Sequence, residues 1–250
     1  VTDSLDNYDA RTAIISIEEF VQDLSLWYVR RSRDRVGPNV ENGEDKNTCY
    51  SVLYHVLVTL SQLLAPITPF ISEEIYTNLT GEKSVHLSNW PTADGVEGDE
   101  KELISEIKVA RMVVEKGHAA RKLSGIPVRQ PLAKITVVHS TEVLGEDILQ
   151  LIKEELNVKE VVWREEEGTT ELEMELDTQL TPDLEEEGKT RELARQIQEE
   201  RKRLGTALNS PISVSSPWLP QDEKNIEWLK RRTLATELKK GETLLVKEVK

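Results

Sequence analysis

Residues 11–35 read RTAIISIEEFVQDLSLWYVRRSRDR, and this stretch indicates how the first half of the chain folds. Its apolar side chains recur every three or four residues: Ile14, Ile17, Phe20, Val21, Leu24 and Trp27/Tyr28. That spacing is typical of an amphipathic helix with one buried face, because about 3.6 residues make one helical turn. Gly37 and Pro38 end the predicted helix, since neither residue favours its continuation.

Three more amphipathic helices are predicted over residues 49–64, 69–79 and 99–123. Pro66 ends the first of them, because proline lacks the amide donor that a helix interior requires. Each helix carries an apolar stripe that needs a neighbouring element to cover it. We therefore predict an N-terminal antiparallel α-helical bundle over residues 1–130.

The pattern changes near Pro131, where short β-branched or alternating runs predict strands and longer periodic runs predict helices. The predicted strands are 135–139, 158–164, 171–177, 211–215 and 243–249, and the predicted helices are 147–157, 183–204 and 222–232. This order fits a small two-layer α/β domain over residues 131–250. The whole chain is therefore expected to be α+β, without internal repeats.

The composition limits the possible classes of function. With 46 acidic and 32 basic residues the formal net charge is −14, so a nucleic-acid site must be a local basic island. Cys49 is the single cysteine, which excludes a disulfide framework and a cysteine-rich zinc site. No apolar run approaches the ~18 residues that span a bilayer, and we expect a soluble, cytoplasmic protein. The first residue is Val1 rather than methionine, which indicates a segment of a longer protein.

Four stretches resemble the C-terminal anticodon-binding region of isoleucyl-tRNA synthetases. They are IEEFVQDLSLWYVRRSR (17–33), LLAPITPFISEEIY (63–76), GIPVRQPL (125–132) and LTPDL (180–184). The second stretch is similar to valyl and leucyl enzymes as well, whereas the third and fourth look specifically isoleucyl. The resemblance covers most of residues 1–205.

The resemblance implies part of an enzyme that attaches isoleucine to its tRNA with the aid of ATP and Mg²⁺. The family's two nucleotide-handling signatures, a His-x-Gly-His turn and a Lys-Met-Ser-Lys-Ser loop, do not occur in this sequence. We therefore expect no catalytic residue, no metal site and no cofactor in the chain itself. The expected partner is the anticodon arm of isoleucine tRNA, bound by a monomer that takes neither DNA nor membrane.

Candidate RNA contacts form two basic islands, of which the first lies at the end of the helix over residues 11–35. Its members are Arg30, Arg31, Arg33 and Arg35. Only Asp34 opposes them locally, which leaves a charge of +3. Clustered arginines bind phosphates largely through counterion release. The alternative is a solvated helix end, where cations complement the negative end of the helix dipole.

The second island lies between residues 108 and 134, where seven Lys and Arg residues outnumber a single acid, Glu115, to give a charge of +6. Its candidate contacts on the helix are Lys108, Arg111, His118, Arg121 and Lys122. All of them except Arg121 fall on one helix face, and such a face can follow a phosphate backbone. The alternative is an ordinary surface helix with solubilising charges.

Reading of the anticodon bases would require stacking platforms and side chains that hydrogen-bond base edges. Tyr28 is a candidate platform, and Arg129 and Gln130 carry suitable donors and acceptors at a proline-flanked turn. The alternative for that turn is a simple junction held by backbone hydrogen bonds. A further basic group, between Arg191 and Arg203, alternates with glutamates, which favours ion pairs within one helix.

Two other functions remain open from the sequence. One is an acidic helical module that docks a protein partner, and the other is the equivalent domain of a valyl-tRNA synthetase. RNA binding weakens steeply with salt, whereas a hydrophobic protein interface responds much less, so ionic strength separates the first alternative from RNA binding.

Overall fold

The computed structural model describes residues 1–37, 43–92, 95, 98–140, 143–166, 172–207 and 209–249. It divides into two compact units, residues 1–95 and 96–250. The first unit is helical, and the second combines helices with two small sheets, so the predicted α+β class is confirmed.

The regular elements of the first unit's described residues are helical. Their bounds are α1 (Thr2–Asp6), α2 (Ala10–Asp23), a π-helical segment (Leu24–Val29), α3 (Arg30–Val36), α4 (Glu44–Leu64), α5 (Pro69–Thr80) and a 3₁₀ turn (Val85–Leu87). The helix predicted over residues 11–35 is therefore present as α2, the π segment and α3 in succession. It ends at Gly37 as predicted, and Pro38 lies outside the described residues.

Side-chain and glycine caps fix where these helices begin and end. Asp9 Oδ1 accepts a hydrogen bond from Thr12 N at 3.1 Å, which satisfies one of the free amides at the start of α2. The helix α5 begins with Pro69 in its first turn, where the missing amide costs nothing. It ends at Gly81, whose φ of 72° lies in the left-handed region, where residues other than glycine are strained.

The second unit contains two small sheets with intervening helices. Its elements are α6 (Asp99–Leu123), β1 (Leu132–His139), α7 (Glu146–Leu156), β2 (Val158–Glu165), β3 (Glu173–Leu176), α8 (Pro182–Leu204), β4 (Ile212–Ser216), α9 (Glu223–Thr233), β5 (Ala235–Lys240) and β6 (Leu245–Glu248). The strand orders are β2-β1-β3 and β5-β4-β6. In each sheet the central strand has one parallel and one antiparallel neighbour.

The second unit therefore consists of two modules with the same order of helix, strand, helix, strand and strand. The first module runs from α6 to β3 and the second from α8 to β6. The helix α6 packs against α7 and β3, although the sequence analysis grouped it with the earlier helices and placed the boundary near residue 130. The strand predicted at 171–177 is β3, with Glu171 outside the described residues, and β5 was missed.

The two modules repeat in sequence as well as in topology. Residues of the first module recur eighty positions later in the second: Arg121, Lys122, Gly125 and Pro131 match Arg201, Lys202, Gly205 and Pro211. Buried positions recur at the same spacing: Ala110, Val113, Val114, Gly117 and Arg121 in α6 match Thr190, Leu193, Ala194, Ile197 and Arg201 in α8. The expectation of no internal repeat is therefore wrong. Few residues are identical between the two modules, and the repeat becomes clear only from the matching positions of their buried residues.

Arg121, at the end of α6, is 1% exposed and holds three backbone carbonyls together. Its guanidinium donates to Pro127 O at 3.2 Å, to Gln130 O at 2.9 Å and to Asn157 O at 3.1 Å. Burial lowers the pKa of Arg121 to about 10, so the group stays charged at neutral pH. A charged donor thus joins the α6–β1 turn to the end of α7.

Arg201 has the same place in the second module and is 4% exposed. It donates to Thr233 O at 2.7 Å and to Ala207 O at 2.8 Å. Burial also lowers the pKa of Arg201 from its ordinary value. Both modules therefore use one buried guanidinium to connect a long helix, the turn after it and the end of the next helix.

We expect Arg201→Met to lower the free energy of unfolding by about 2–3 kcal/mol, because the buried Thr233 carbonyl and the Ala207 carbonyl would lose a charged donor. Urea unfolding followed by circular dichroism measures the change. The neighbouring exposed Lys202→Met is the control and should change stability by less than about 0.5 kcal/mol. Equal midpoints for the two variants would show that the buried guanidinium contributes nothing.

Gly117 gives α7 its close approach to α6. A Cβ at this position would lie 2.5 Å from Cδ1 of Leu156, which is fully buried. Gly→Ala in a helix interior ordinarily stabilises by up to about 1 kcal/mol, but here we expect Gly117→Ala to lower the melting temperature. In a Leu156→Ala background the overlap is gone, so the same substitution should become neutral or stabilising. A destabilising effect of equal size in both backgrounds would contradict this account.

Candidate nucleic-acid interface

The arginine cluster, Arg30, Arg31, Arg33 and Arg35, lies on α3 in the first unit. Arg35 is paired through its guanidinium with Asp45 of α4, with Nε–Oδ2 at 2.9 Å and Nη2–Oδ1 at 2.6 Å. Its hydrogen bonds to the carboxylate raise the pKa of Arg35 and lower the pKa of Asp45. Because Asp45 comes from the next helix, the cluster is less positive in space than in sequence.

The other three arginines differ in how they meet solvent. Arg30 and Arg33 are exposed, and Arg31 is half-buried. Arg30 Nε donates to Leu26 O at 2.7 Å, which holds its side chain along the π segment. Arg33 therefore presents the most accessible cation of the arginine cluster, and its contact with RNA stays a prediction.

Tyr28, the predicted stacking platform, is half-buried in the π segment. Its hydroxyl donates to Cys49 O at 3.2 Å and lies 3.7 Å from Cys49 Sγ. Burial, together with the contact with the Cys49 thiol, raises the pKa of Tyr28. The ring thus joins the π segment to α4. Its stacking on a base stays a prediction, and its hydroxyl has a structural role.

Tyr50 is an aromatic neighbour of the arginine cluster that the sequence analysis did not select. Its hydroxyl donates to Val36 O at 3.4 Å, so α4 places the ring at the end of α3. The side chain of Tyr50 is 48% exposed, and Tyr54, one turn further along, is 46% exposed. Exposed tyrosines at positions i and i+4 on an otherwise apolar helix were the available signal.

The α6 basic face, Lys108, Arg111, His118 and Lys122, is formed as predicted on the side of α6 opposite its buried residues. Lys108 and Lys122 are exposed, and Arg111 and His118 are half-buried. Glu115 is exposed on the same face. The distance from Lys108 to Lys122 along the helix axis is about 21 Å, a length that can follow several phosphates.

Arg121, by contrast, does not point to solvent with this face. Its guanidinium is buried among the three carbonyls described above. We do not keep it in the candidate interface, because contact with RNA would require those hydrogen bonds to break. In sequence, an arginine in the last turn of a helix looks the same whether it is exposed or buried.

Arg129 and Gln130 connect the two modules. Gln130 Nε2 donates to Leu184 O at 2.8 Å, and its amide occupies the space that a side chain at Gly188 would fill. Arg129 Nε pairs with Glu192 Oε2 at 2.7 Å, with 47% of its side chain exposed. Gln130 is therefore engaged inside the unit, whereas Arg129 can still reach a ligand at the surface.

Three arginines of the basic group on α8 form the predicted ion pairs within the helix, whereas Arg201 is buried against backbone carbonyls. Arg191 pairs with Glu187 at 2.8 Å, Arg195 with Glu192 at 2.7 Å and with Glu199, and Arg203 with Glu200 at 2.7 Å. Over the residues that the structure describes, no group of His, Cys, Asp and Glu could hold a metal ion. In the same residues no helix is both long and apolar enough to cross a membrane.

Comparison with known proteins identifies the family to which the chain is similar. The family model of the anticodon-binding domain of tRNA ligase matches residues 1–137. The isoleucine–tRNA ligase of Dehalococcoides mccartyi strain CBDB1 is 38% identical, over 96% of this chain and 26% of that protein. Those of Deinococcus radiodurans and Thermus thermophilus are 44% and 40% identical, over 69% and 64% of this chain and 16% of each relative.

The chain thus spans about a quarter, or less, of the length of these relatives. The matched range contains the arginine cluster and the α6 basic face, and the relatives extend the similarity into the second module. The chain belongs to the family of anticodon-binding domains of tRNA ligases, and within it to the isoleucyl-tRNA synthetase type.

Proposed function

We propose that this chain binds the anticodon arm of isoleucine tRNA. The observation that carries the proposal is the α6 basic face, which presents Lys108, Arg111, His118 and Lys122 on one side of a helix in a chain of net charge −14. An acidic protein repels RNA over most of its surface, so a contiguous cationic face directs where the phosphates can approach.

The physical basis of binding is the release of counterions from the RNA backbone. Each phosphate that a lysine or arginine neutralises frees a condensed cation, so affinity falls linearly with the logarithm of salt concentration. Lys108 and Lys122 are exposed at the two ends of the α6 basic face and suit this role best. Such contacts position the RNA without reading its sequence.

Base recognition belongs, in this proposal, to the exposed aromatic and planar groups. Arg33 and Tyr50 lie at the end of α3, where an unstacked base can meet a ring and a guanidinium. Arg129 supplies a further guanidinium in the second unit, with part of its surface open to solvent.

Aminoacylation itself is assigned to other parts of the full-length enzyme. We propose that the complete protein is an isoleucine–tRNA ligase of the cytoplasm that uses ATP and Mg²⁺, and that this chain acts in it without a catalytic residue of its own. Binding energy gained on the anticodon arm would then serve to place the acceptor end at the distant active site. The chain is expected to act as a monomer.

A protein-docking function is the second candidate, and exposed apolar side chains on α5 favour it. Phe70 is 90% exposed and Ile71 is 59% exposed. Association through such side chains depends on buried apolar area and changes little with ionic strength. The salt dependence of binding therefore separates the two candidates.

We expect the chain to bind isoleucine tRNA more tightly than valine tRNA, and Lys108→Gln/Arg111→Gln/Lys122→Gln to weaken that binding by about tenfold at low salt. The slope of log K against log salt should fall by about 2–3, because up to three phosphate contacts are lost. Fluorescence anisotropy of labelled transcripts at several salt concentrations measures both quantities.

The matched control is Lys239→Gln/Lys240→Gln/Lys247→Gln, which removes three exposed lysines from β5 and β6. It changes the net charge by the same amount and should leave affinity within about twofold. Equal losses of affinity in the two triple variants would show that only the overall charge matters, which would contradict the assignment of the α6 basic face. Salt-independent binding of a protein partner, with no tRNA binding, would support the docking function instead.

A further inference from the structure

The helices α8 and α9 lie side by side and run in the same direction. At their beginnings, Glu186 Oε1 accepts hydrogen bonds from Gln221 N at 2.9 Å and Asp222 N at 2.8 Å. At their ends, Gln198 Nε2 donates to Arg232 O at 3.1 Å. The two helices are thus tied at both ends, and we call the surface depression between them the α8–α9 groove.

A cavity of about 480 Å³ occupies the N-terminal half of the α8–α9 groove. Its aromatic wall is Trp228, and the guanidinium of Arg191 lies over the indole at 5.6 Å from the ring centroid. Leu151 of α7 has the place of Trp228 in the first module, since Ile152 and Leu229 are the matching buried residues that follow. The aromatic wall therefore distinguishes the second module.

Arg191 is held in this position before any ligand binds. Its Nη2 donates to Glu187 at 2.8 Å, and Glu187 also accepts from Lys159 Nζ at 2.6 Å. The Nε atom of Arg191 is buried and has no hydrogen-bond partner within the described ranges. A guanidinium fixed over an indole forms a flat cationic pair on which a planar base can stack.

The charge inside the cavity decides which part of a nucleotide fits. Three cations, Lys159, Arg191 and Lys224, and four carboxylates, Asp183, Glu186, Glu187 and Asp222, line it. The net negative charge disfavours a phosphate, whereas the Asp183 carboxylate and the Asn225 Oδ1 atom can accept hydrogen bonds from the amino and imino groups of a base. The cavity therefore suits an uncharged heterocycle rather than an anion.

The C-terminal end of the groove has the opposite charge. Lys202 on α8 and Lys230, Arg231 and Arg232 on α9 are all exposed there. Arg201 and Gln198 already donate hydrogen bonds to carbonyls at the end of α9. The exposed cations are therefore not needed to cap these carbonyls. Arg232 is one helical turn, about 6 Å, from Trp228 along the helix axis.

We propose that the α8–α9 groove binds an unpaired nucleotide of RNA. The base enters the cavity and stacks on the Arg191–Trp228 pair, and the adjoining phosphates bind Lys202, Arg231 and Arg232. The groove is a second RNA contact, separate from the α6 basic face. Its acidic cavity and basic end match the neutral base and the charged backbone of one strand.

The test uses the whole 250-residue chain and two fluorescein-labelled probes, a ten-nucleotide oligouridylate and an abasic ribose-phosphate decamer of equal length. We expect the uridylate to bind at least about fivefold more tightly, since stacking contributes about 1 kcal/mol or more per base. Trp228→Leu, which installs the residue of the first module, should remove that difference. Equal binding of both probes by the wild-type chain would overturn the proposal, and so would no binding at low salt.

The phosphate end is tested with Arg231→Gln/Arg232→Gln, which should weaken both probes and lower the salt slope by about 1.4. The control Lys239→Gln/Lys240→Gln removes two exposed lysines outside the groove and should change affinity by less than about twofold. If Trp228→Leu lowers the melting temperature, Arg191→Lys is measured as well. It keeps the charge, so loss of the uridylate preference would show that the flat guanidinium is needed.

Binding of isoleucine tRNA to the same variants separates this proposal from the proposed function. If the α6 triple variant loses tRNA while the groove variants bind the decamer like the wild type, the groove is excluded and the α6 basic face stands. If the groove variants lose the decamer while the α6 triple variant keeps tRNA, the α6 basic face is excluded and the groove proposal stands.

Discussion

The buried guanidinium at the end of a long helix is the constraint on which the sheet-containing unit depends. Removing a charged group from water is costly, and hydrogen bonds offset that cost; the acceptors for Arg121 and Arg201 are carbonyls from separate segments. The turn after the helix and the end of the next helix must therefore meet at one point. That meeting sets the start of the central strand, where Leu132 N donates to Asn157 O and Ile212 N to Leu234 O.

The periodic elements could be predicted because their signals are local. Apolar spacing located α2 to α6, and Gly37 marked a real helix end because glycine and the proline after it do not favour continuation of a helix. The strand β5 was missed because half of ATELKK is charged, so a strand exposed on much of its surface had the composition of a loop. Its pairing with β4 comes from the tertiary structure and not from its own residues.

The candidate site was predictable only as far as it depends on one helix face. The α6 basic face follows from helical geometry, so its members could be grouped by spacing alone. Arg35 and Arg121 could not be assigned in this way, because Asp45 and the three carbonyls reach them from other segments. The internal correspondence between Arg121 and Arg201 was in the sequence, but only their shared burial gives it meaning.

The repeat also shows how one scaffold can carry different surfaces. The positions that bury α6 and α8 against their sheets must keep their size and polarity, since packing and the guanidinium contacts depend on them. Positions that face outward carry no such restriction. The first module therefore presents cations along α6, whereas the second has Trp228 where the first has Leu151, and collects its cations at the end of α9. A net negative chain can in this way confine attraction for RNA to a few outward positions, while the buried arginines hold those positions in place.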